Sequence, residues 1–341
     1  MKRFIFLFFI FVAVFSCQSS MLEKTELSFY FWKTKLNLSE KEKLILKKMN
    51  IKQIYIRFFD VDIDSESQKP IPLSPIQNIE NIKDDTIKII PVVFITNRTM
   101  KNISHEKISD LAQKIFIKIN DIAQKITFQE IQLDCDWNSK TKYNFFDLIK
   151  ELQKITSQKN IKITSTLRLH QIKFAQKEGI PPVKNTTLML YNMGNIQNEK
   201  TKNSIFELQT INAYLDNFDT YPLDIDYALP IFSWGVVKRF GKVVALLNEW
   251  EVSDKNRLFF EKITENQYKV IKSHYEKETY LYKDDEIRYE TITKENLTQA
   301  LQLLKNKRKK TPKNIVFYHL DTHLIDKFGT DFFEKLVKPS L

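Results

Sequence analysis

The sequence predicts an α/β fold, a (β/α)8 TIM barrel with a small β-rich insertion between strand 7 and helix 7. Strand-like and helix-like segments alternate eight times between residues 26 and 341. The helix-like segments carry apolar residues at helical spacing, as expected of helices that cover a parallel sheet. A hydrophobic content of 43% with only 5 Gly supplies a large core and argues against disorder.

Each strand is indicated by a short apolar or alternating run that ends in polar or aromatic residues. The predicted strands are residues 26–32, 53–59, 88–96, 130–138, 161–170, 187–192, 225–232 and 315–320. The main helices are predicted at residues 39–49, 104–127, 142–157, 204–216 and 294–305, with a last helix ending near Val337. Ser39 and Glu42 predict a capping box at the start of the first helix.

Two features interrupt the repeat. Residues 62–85 form a connector with three prolines that is long enough to cover part of the fold. Residues 239–290 form the insertion, in which residues 268–275 and 278–282 alternate like strands and residues 283–285 predict a turn into residues 287–289. We expect a small sheet over the barrel mouth rather than an independent domain.

The first 17 residues resemble a lipoprotein signal peptide. Lys2 and Arg3 precede an apolar run that is too short to span a bilayer permanently. Residues 14–17, Val-Phe-Ser-Cys, resemble a bacterial lipobox, in which Cys17 is acylated and begins the mature chain. We therefore expect a tether at residues 18–25, a barrel domain at residues 26–341, and a lipoprotein held by Cys17 in the cell envelope, on the periplasmic or outer-membrane side. Phe15 is unusual in such a box, so simple secretion is the alternative.

Charge and composition narrow the possible partners. The net charge of +11 becomes +9 without Lys2 and Arg3. Most of the excess lies in helix-like segments, so we interpret these lysines and arginines mainly as solvated helix faces. A basic envelope protein is also attracted to anionic lipid or acidic glycans. The export signal and the lack of a nucleic-acid-binding motif argue against nucleic acid. With no phosphate-cradling glycine-rich loop, we expect no cofactor. Cys135, left alone by acylation of Cys17, is expected to be a buried thiol.

Residues 130–138, Glu-Ile-Gln-Leu-Asp-Cys-Asp-Trp-Asn, deliver two acids to one place. Asp134 and Asp136 point to the same face of an extended strand, whereas Trp137 points to the other face or turns out with the loop. Two carboxylates in one site raise the pKa of one of them, which suits it to proton transfer. Asp134 and Asp136 are therefore the candidate catalytic residues; a helix cap plus a solvated aspartate is the alternative.

The active face of such a barrel is the carboxyl end of its strands. The residues predicted to bind substrate there are aromatic, amide or charged: Trp32, Arg57, Asp60, Trp137, Asn138, Arg168, His170, Tyr191, Asn192, Trp234 and His319. This mixture binds sugars, because sugar C–H faces stack on aromatic rings and hydroxyls need polar partners. Core packing is the alternative for the tryptophans, and a buried structural imidazole is the alternative for His170.

Three segments resemble chitinase-like glycoside hydrolases, in the expected strand order. Residues 134–138 resemble the Asp-x-Asp-x-Glu signature of the fourth strand, residues 189–192 (Met-Leu-Tyr-Asn) are similar to Met-x-Tyr-Asp of the sixth, and residues 229–232 before Trp234 are similar to the seventh. That family also carries an insertion after its seventh strand. The resemblance implies a TIM barrel and substrate-assisted glycoside hydrolysis, and points to a lipoprotein branch with substituted catalytic positions.

Two substitutions depart from the family pattern. Asn138 replaces the glutamate that protonates the leaving oxygen, and Asn192 replaces an aspartate that positions the substrate. Loss of a general acid costs on the order of 100- to 10,000-fold in rate. Two versions therefore stay open. One is a barrel that binds a glycan, and the other hydrolyses it with Asp136 and either Asp134 or Asp60 as an alternative acid pair, whose charge Arg57 and Arg168 tune.

A second hypothesis is a non-catalytic structural or assembly lipoprotein whose insertion contacts a protein partner. The sequence His319-x-Asp321-x-His323 could ligate a divalent metal only if the segment is extended. We favour Asp321 or Thr322 as the cap of the last helix and expect no metal.

Overall fold

The computed structural model describes residues 25–82, 86–124 and 126–337. Eight parallel strands close into a barrel, confirming the predicted fold class. They are β1 (Glu26–Phe31), β2 (Gln53–Ile63), β4 (Lys88–Ile95), β5 (Glu130–Asp134), β6 (Lys162–Arg168), β7 (Asn185–Met189), β8 (Asp224–Pro230) and β16 (Asn314–Tyr318). Each strand pairs with the next in chain order, and the pairing of β16 with β1 closes the ring.

The 62–85 connector contains an additional strand, β3 (Pro70–Leu73), which pairs antiparallel with β2. The pairing exists because β2 continues to Ile63, four residues beyond the predicted end at Phe59. Prolines in the β3 sequence mask it as a strand, and they are tolerated because β3 lies at an edge.

Helices cover the outside of the barrel in the expected order. They are α1 (Glu40–Lys48), α2 (Asn97–Asn102), α3 (Ile108–Ala123), α4 (Lys142–Ser157), α5 (Leu169–Lys173), α6 (Ala175–Glu178), α7 (Leu208–Tyr214), α8 (Lys294–Lys307), α9 (Thr322–Phe328) and α10 (Thr330–Val337). The predicted capping box forms, with the Ser39 hydroxyl accepting from the Glu42 N–H. The last predicted helix is two helices, separated at Gly329, which has a φ of 76°.

The insertion lies between β8 and α8, as predicted, but its first strand begins at Trp234 rather than near residue 239. Its strands are β9 (Trp234–Arg239), β10 (Lys242–Asn248), β11 (Phe260–Lys262), β12 (Gln267–Val270), β13 (His274–Glu276), β14 (Thr279–Leu281) and β15 (Glu286–Glu290). Five of them form one antiparallel sheet, and β13 and β14 form a separate hairpin. Trp250, Val270 and Ile287 fill a small core of its own.

Within the described residues, no helix is long and apolar enough to cross a membrane. Cys17, the expected signal peptide and almost all of the expected tether lie outside the described residues, so these expectations stay predictions. Cys135 is buried with a free thiol.

Candidate functional site

The carboxyl ends of the eight barrel strands form the mouth of the barrel, and the two predicted acids lie there at the end of β5. Asp134 is 8% exposed, and its Oδ1 accepts a 2.7 Å hydrogen bond from the Thr166 hydroxyl. Burial, followed by the charge of Asp136, raises the pKa of Asp134 to about 7. The carboxyl group therefore changes its protonation state near neutral pH.

Arg168, at the end of β6, holds Asp136 in place. Its Nη1 lies 3.4 Å from Asp136 Oδ1, and its Nη2 donates a 2.9 Å hydrogen bond to the Asn192 carbonyl. The side chain of Asp136 is 46% exposed, so one carboxylate of the pair is open to solvent while Asp134 is not. The guanidinium also connects the ends of β6 and β7, which fixes the loop that begins at Asn192.

Five aromatic rings form a continuous surface beside these acids, which we call the aromatic floor: Trp32, Tyr191, Phe232, Trp234 and Tyr318. Tyr318 lies at its centre, with ring centroids 5.6 Å from Trp32, 5.2 Å from Tyr191 and 5.6 Å from Phe232. Phe232 in turn contacts Trp234 at 5.5 Å. Trp32, Trp234 and Tyr318 are partly exposed, whereas Tyr191 and Phe232 are buried beneath them.

The floor adjoins the acid pair. Burial is the main cause of the raised pKa of Tyr191, and the charge of Asp134 contributes to it together with Tyr30 and Tyr318. Asp134 is also among the charges that raise the pKa of Tyr318. Strand tips from distant parts of the chain thus meet in one acidic, aromatic bowl.

The insertion fixes one end of the floor through a buried carboxylate. Glu290, at the end of β15, accepts a 2.8 Å hydrogen bond from Trp234 Nε1 and a 2.7 Å bond from the Ser204 N–H. Its other oxygen accepts from Arg288 Nε at 2.6 Å. The insertion therefore sets the position of the Trp234 indole and of the loop after β7.

Arg57 and Asp60 satisfy each other within β2. Arg57 Nε donates to Asp60 Oδ1 at 2.7 Å, and the second guanidinium bond goes to Oδ2 at 2.5 Å. The side chains of Arg57 and Asp60 are only 11% and 22% exposed. The pair therefore forms part of the wall of the bowl, and Asp60 is not a free acid.

The expectation that Trp137 stacks on a sugar is wrong. Its side chain is fully buried, stacks on Phe145 at 5.0 Å, and donates from Nε1 to the Glu178 carbonyl. The strand β5 ends at Asp134. Trp137, three residues later, faces the helix layer, which is the side that the alternation of residues 134–138 predicts. It is a core residue.

Asn138 makes a local turn at the start of α4. Its Oδ1 accepts from the Lys140 N–H at 2.9 Å, and its own N–H donates to the Thr141 hydroxyl at 3.0 Å. The Asn138 side chain is thus engaged by the backbone of its own turn.

The two predicted histidines and Asn192 lie at the rim of the mouth. His170 belongs to α5 rather than to a strand end, and burial lowers its pKa. His319 Nε2 lies 3.4 Å from Glu249 Oε1, and this contact lowers the pKa of Glu249. Asp321 caps α9 by accepting from the His323 N–H, which places His323 in a helix and removes the extended geometry that a metal site would need. Asn192 is exposed with a φ of 55°.

Comparison with solved structures gives the same architecture. The spore cortex-lytic enzyme SleL of Bacillus megaterium matches at a TM-score of 0.57 and 12% identity, over 93% of this chain and 75% of that one. A GH18 chitinase of Cycas revoluta in complex with (GlcNAc)4 matches at 0.57 and 10%, over 92% and 99%. The chitinase of Chromobacterium violaceum matches at 0.57 and 11%, over 92% and 98%. The chain has a chitinase-like TIM-barrel fold. No family model matches the sequence, and no curated protein does.

Three groups that shape the bowl are not among the residues predicted from the sequence. Tyr318 was hidden inside an ordinary apolar strand, although its place at the end of β16 is a signal that could have identified it. Glu249 and Glu290 come from the insertion and lie far along the chain from the groups they contact. No local motif marks either of them.

Proposed function

We propose that this protein binds a glycan at the mouth of its barrel. The observation that carries the proposal is that the Asp134, Asp136 and Arg168 cluster and the aromatic floor share the mouth, where the charge of Asp134 acts on Tyr191 and Tyr318. Carboxylate and guanidinium groups hydrogen-bond to sugar hydroxyls, and aromatic rings offer faces on which the C–H groups of a sugar stack.

N-acetylglucosamine oligomers are the ligand class that the fold neighbours support. Solved chitinases with the same fold hold (GlcNAc)3 or (GlcNAc)4, and the cortex-lytic enzyme has the same barrel. The chain retains an acid pair and an aromatic surface at the corresponding end of its barrel. We therefore propose glycans that contain N-acetylglucosamine.

Binding without turnover fits the residues better than hydrolysis. Asn138 cannot donate a proton to a leaving oxygen, and its side chain is bonded to the Lys140 N–H. Asp136 Oδ1 lies 3.4 Å from Arg168 Nη1. Asp60 is held by Arg57. Asp136 and Asp60 are thus each paired with an arginine.

Titration calorimetry with chitotetraose tests the binding proposal. Trp32→Ala should weaken binding at least tenfold, because it removes one exposed ring without touching a buried hydrogen bond. Tyr143→Ala is the matched control, since Tyr143 is an exposed ring on α4, and it should bind as the wild type does. Equal affinities for the two variants would contradict the proposal.

Hydrolysis is the second candidate, and one observation favours it: the pKa of Asp134 is raised to about 7. A carboxyl group that holds a proton near neutral pH is suited to acid–base work. In this version the wild type releases reducing ends from chito-oligosaccharides, and Asp134→Asn or Asp136→Asn abolishes the release. A wild type without release would eliminate it.

We also propose that the chain is a cell-envelope lipoprotein anchored through Cys17. The support is the charged, apolar and small-residue order of residues 1–17. Mass analysis of the N-terminal peptide should find an acylated cysteine, and Cys17→Ser should release the protein from the membrane fraction. An unmodified N-terminus at another residue would contradict the anchor.

An assembly role for the insertion is the remaining alternative. It is favoured by a row of exposed tyrosines, with Tyr280 lying 4.9 Å from both Tyr275 and Tyr282. Tyrosine-rich surfaces are common at protein interfaces. Capture of one protein partner that is lost in Tyr275→Ser/Tyr280→Ser, but kept in Trp32→Ala, would support it.

A further inference from the structure

The end of the barrel opposite the mouth carries a ring of lysines. We call it the basic rim and define it as Lys52, Lys88, Lys162, Lys184 and Lys313. Each lysine is the first residue of a barrel strand or directly precedes it, and together they lie at the starts of five of the eight strands. All five side chains are exposed.

Backbone hydrogen bonds place these lysines in one layer. The Lys88 N–H donates to the Lys52 carbonyl at 2.8 Å, and the Asp224 N–H donates to the Lys184 carbonyl at 3.1 Å. The Lys162 N–H donates to the Gln129 carbonyl at 2.9 Å. Because neighbouring strands start together, the lysines face solvent at the same end.

Acidic groups offset only part of this charge. Asp226 is buried and accepts from the backbone of Lys313, while Asp224 pairs with Lys310 and lies 3.8 Å from Lys313. Glu130 is half-buried, and burial raises its pKa. Glu26 is exposed.

The other four rim lysines make no ion pair with any described residue. Among residues 25–82, 86–124 and 126–337, no ion pair involves Lys52, Lys88, Lys162 or Lys184. Lysines are common in the last turn of helices, where they complement the helix dipole, but these four precede strands. Helix capping therefore does not account for them.

The chain enters the fold at this same end. The hydroxyl of Thr25, the first described residue, donates to the Pro312 carbonyl at 2.9 Å, and the Glu26 N–H donates to the Lys313 carbonyl at 2.8 Å. Cys17 is eight residues earlier in the sequence. Eight residues span at most about 28 Å when fully extended, so an anchor at Cys17 keeps the basic rim next to the membrane.

We propose that the basic rim binds the anionic lipid surface of the membrane, so that the mouth points away from the bilayer. The inference rests on the anchor proposed at Cys17. Lysines within a Debye length, about 8 Å at physiological ionic strength, are attracted to anionic headgroups. An anchor at Cys17 does not by itself set the orientation of the barrel, whereas the rim fixes this orientation and presents the bowl to glycans.

The test uses the mature chain as isolated from the envelope, reconstituted in vesicles of phosphatidylcholine alone or mixed equally with phosphatidylglycerol. A membrane-impermeant acylating reagent labels the lysines, and mass spectrometry gives the rate at each site. In anionic vesicles the rim lysines should react about fivefold more slowly, and high salt should restore their rates. Lys101, Lys140 and Lys200, exposed at the mouth end, are internal controls and should keep their rates.

Two variants of equal charge sharpen the result, with the exposed Lys309 as reporter. Replacing Lys52, Lys88, Lys162 and Lys184 by glutamine should abolish the protection of Lys309, whereas replacing Lys101, Lys140, Lys200 and Lys262 should preserve it. Equal rates in neutral and anionic vesicles, or equal protection at both ends of the barrel, would overturn the proposal. The mass of the N-terminal peptide tests the anchor, and glycan binding measured without vesicles tests the bowl. If the chain carries no acyl group, the same labelling rates still decide whether the basic rim binds anionic vesicles.

Discussion

Replacing Asp134 by asparagine should stabilise the protein, and only above acidic pH. The pKa of Asp134 is raised from 3.8 to about 7, mainly by burial. Between these values the folded state binds more protons than the unfolded state, so the free energy of unfolding falls as pH rises. A difference of about 3 pKa units corresponds to about 4 kcal/mol at 1.36 kcal/mol per unit. Asparagine carries no such cost, and its Oδ1 still accepts from the Thr166 hydroxyl.

Urea unfolding followed by tryptophan fluorescence at several pH values between 4 and 8.5 measures this effect. The stability of Asp134→Asn relative to the wild type should rise through this range and level off above about pH 7, by about 4 kcal/mol. Asp136→Asn removes the second cause of the raised pKa of Asp134, which is the charge of Asp136. The pKa of Asp134 should therefore fall, and the decline in the free energy of unfolding seen in the wild type should move to lower pH. Asp254→Asn is the control, because that carboxylate is 93% exposed. A difference between Asp134→Asn and the wild type that does not change with pH would refute the reasoning.

Substitutions at three further positions test the packing around the bowl, each measured by urea unfolding. Trp137→Ala should cost about 3–5 kcal/mol through the cavity it leaves, and Trp137→Phe clearly less; a loss under about 1 kcal/mol would place the indole outside the core. Glu290→Gln should cost about 3–5 kcal/mol, because it leaves the Arg288 charge buried without its partner, and should also weaken glycan binding through Trp234. An unchanged affinity would separate Glu290 from the bowl. Gly194→Ala should cost about 1–3 kcal/mol, since a Cβ there would lie 2.9 Å from the Ser204 Cα; wild-type stability would show that the loop yields.

The barrel was predictable because each strand and its helix carry their own periodic signal. Eight local patterns, taken in order, leave few architectures open. The elements that the sequence did not predict depend on contacts between distant residues. The strand β3 forms because β2 offers it an edge to pair with, whereas the prolines of β3 are typical of a loop. The insertion begins at Trp234 because β9 pairs with β10 and β15, partners that follow it in the chain.

Site residues were harder to predict than the fold. The alternation of residues 134–138 places Trp137 opposite the two acids, and the structure follows that alternation. A functional role for this indole was predicted from its place at the end of a strand, whereas its environment is set by α4 and by the Glu178 carbonyl. Tyr318 and Glu290 matter through contacts across the fold, which one sequence does not display.

A crystal structure with bound chitotetraose tests the central claim most directly. The account predicts sugar rings stacked on Trp32, Tyr318 or Trp234, with a hydroxyl or acetamido group within hydrogen-bonding distance of Asp136 and the glycosidic bonds intact. A sugar seated on the insertion tyrosines or at the basic rim, with the bowl empty, would contradict it.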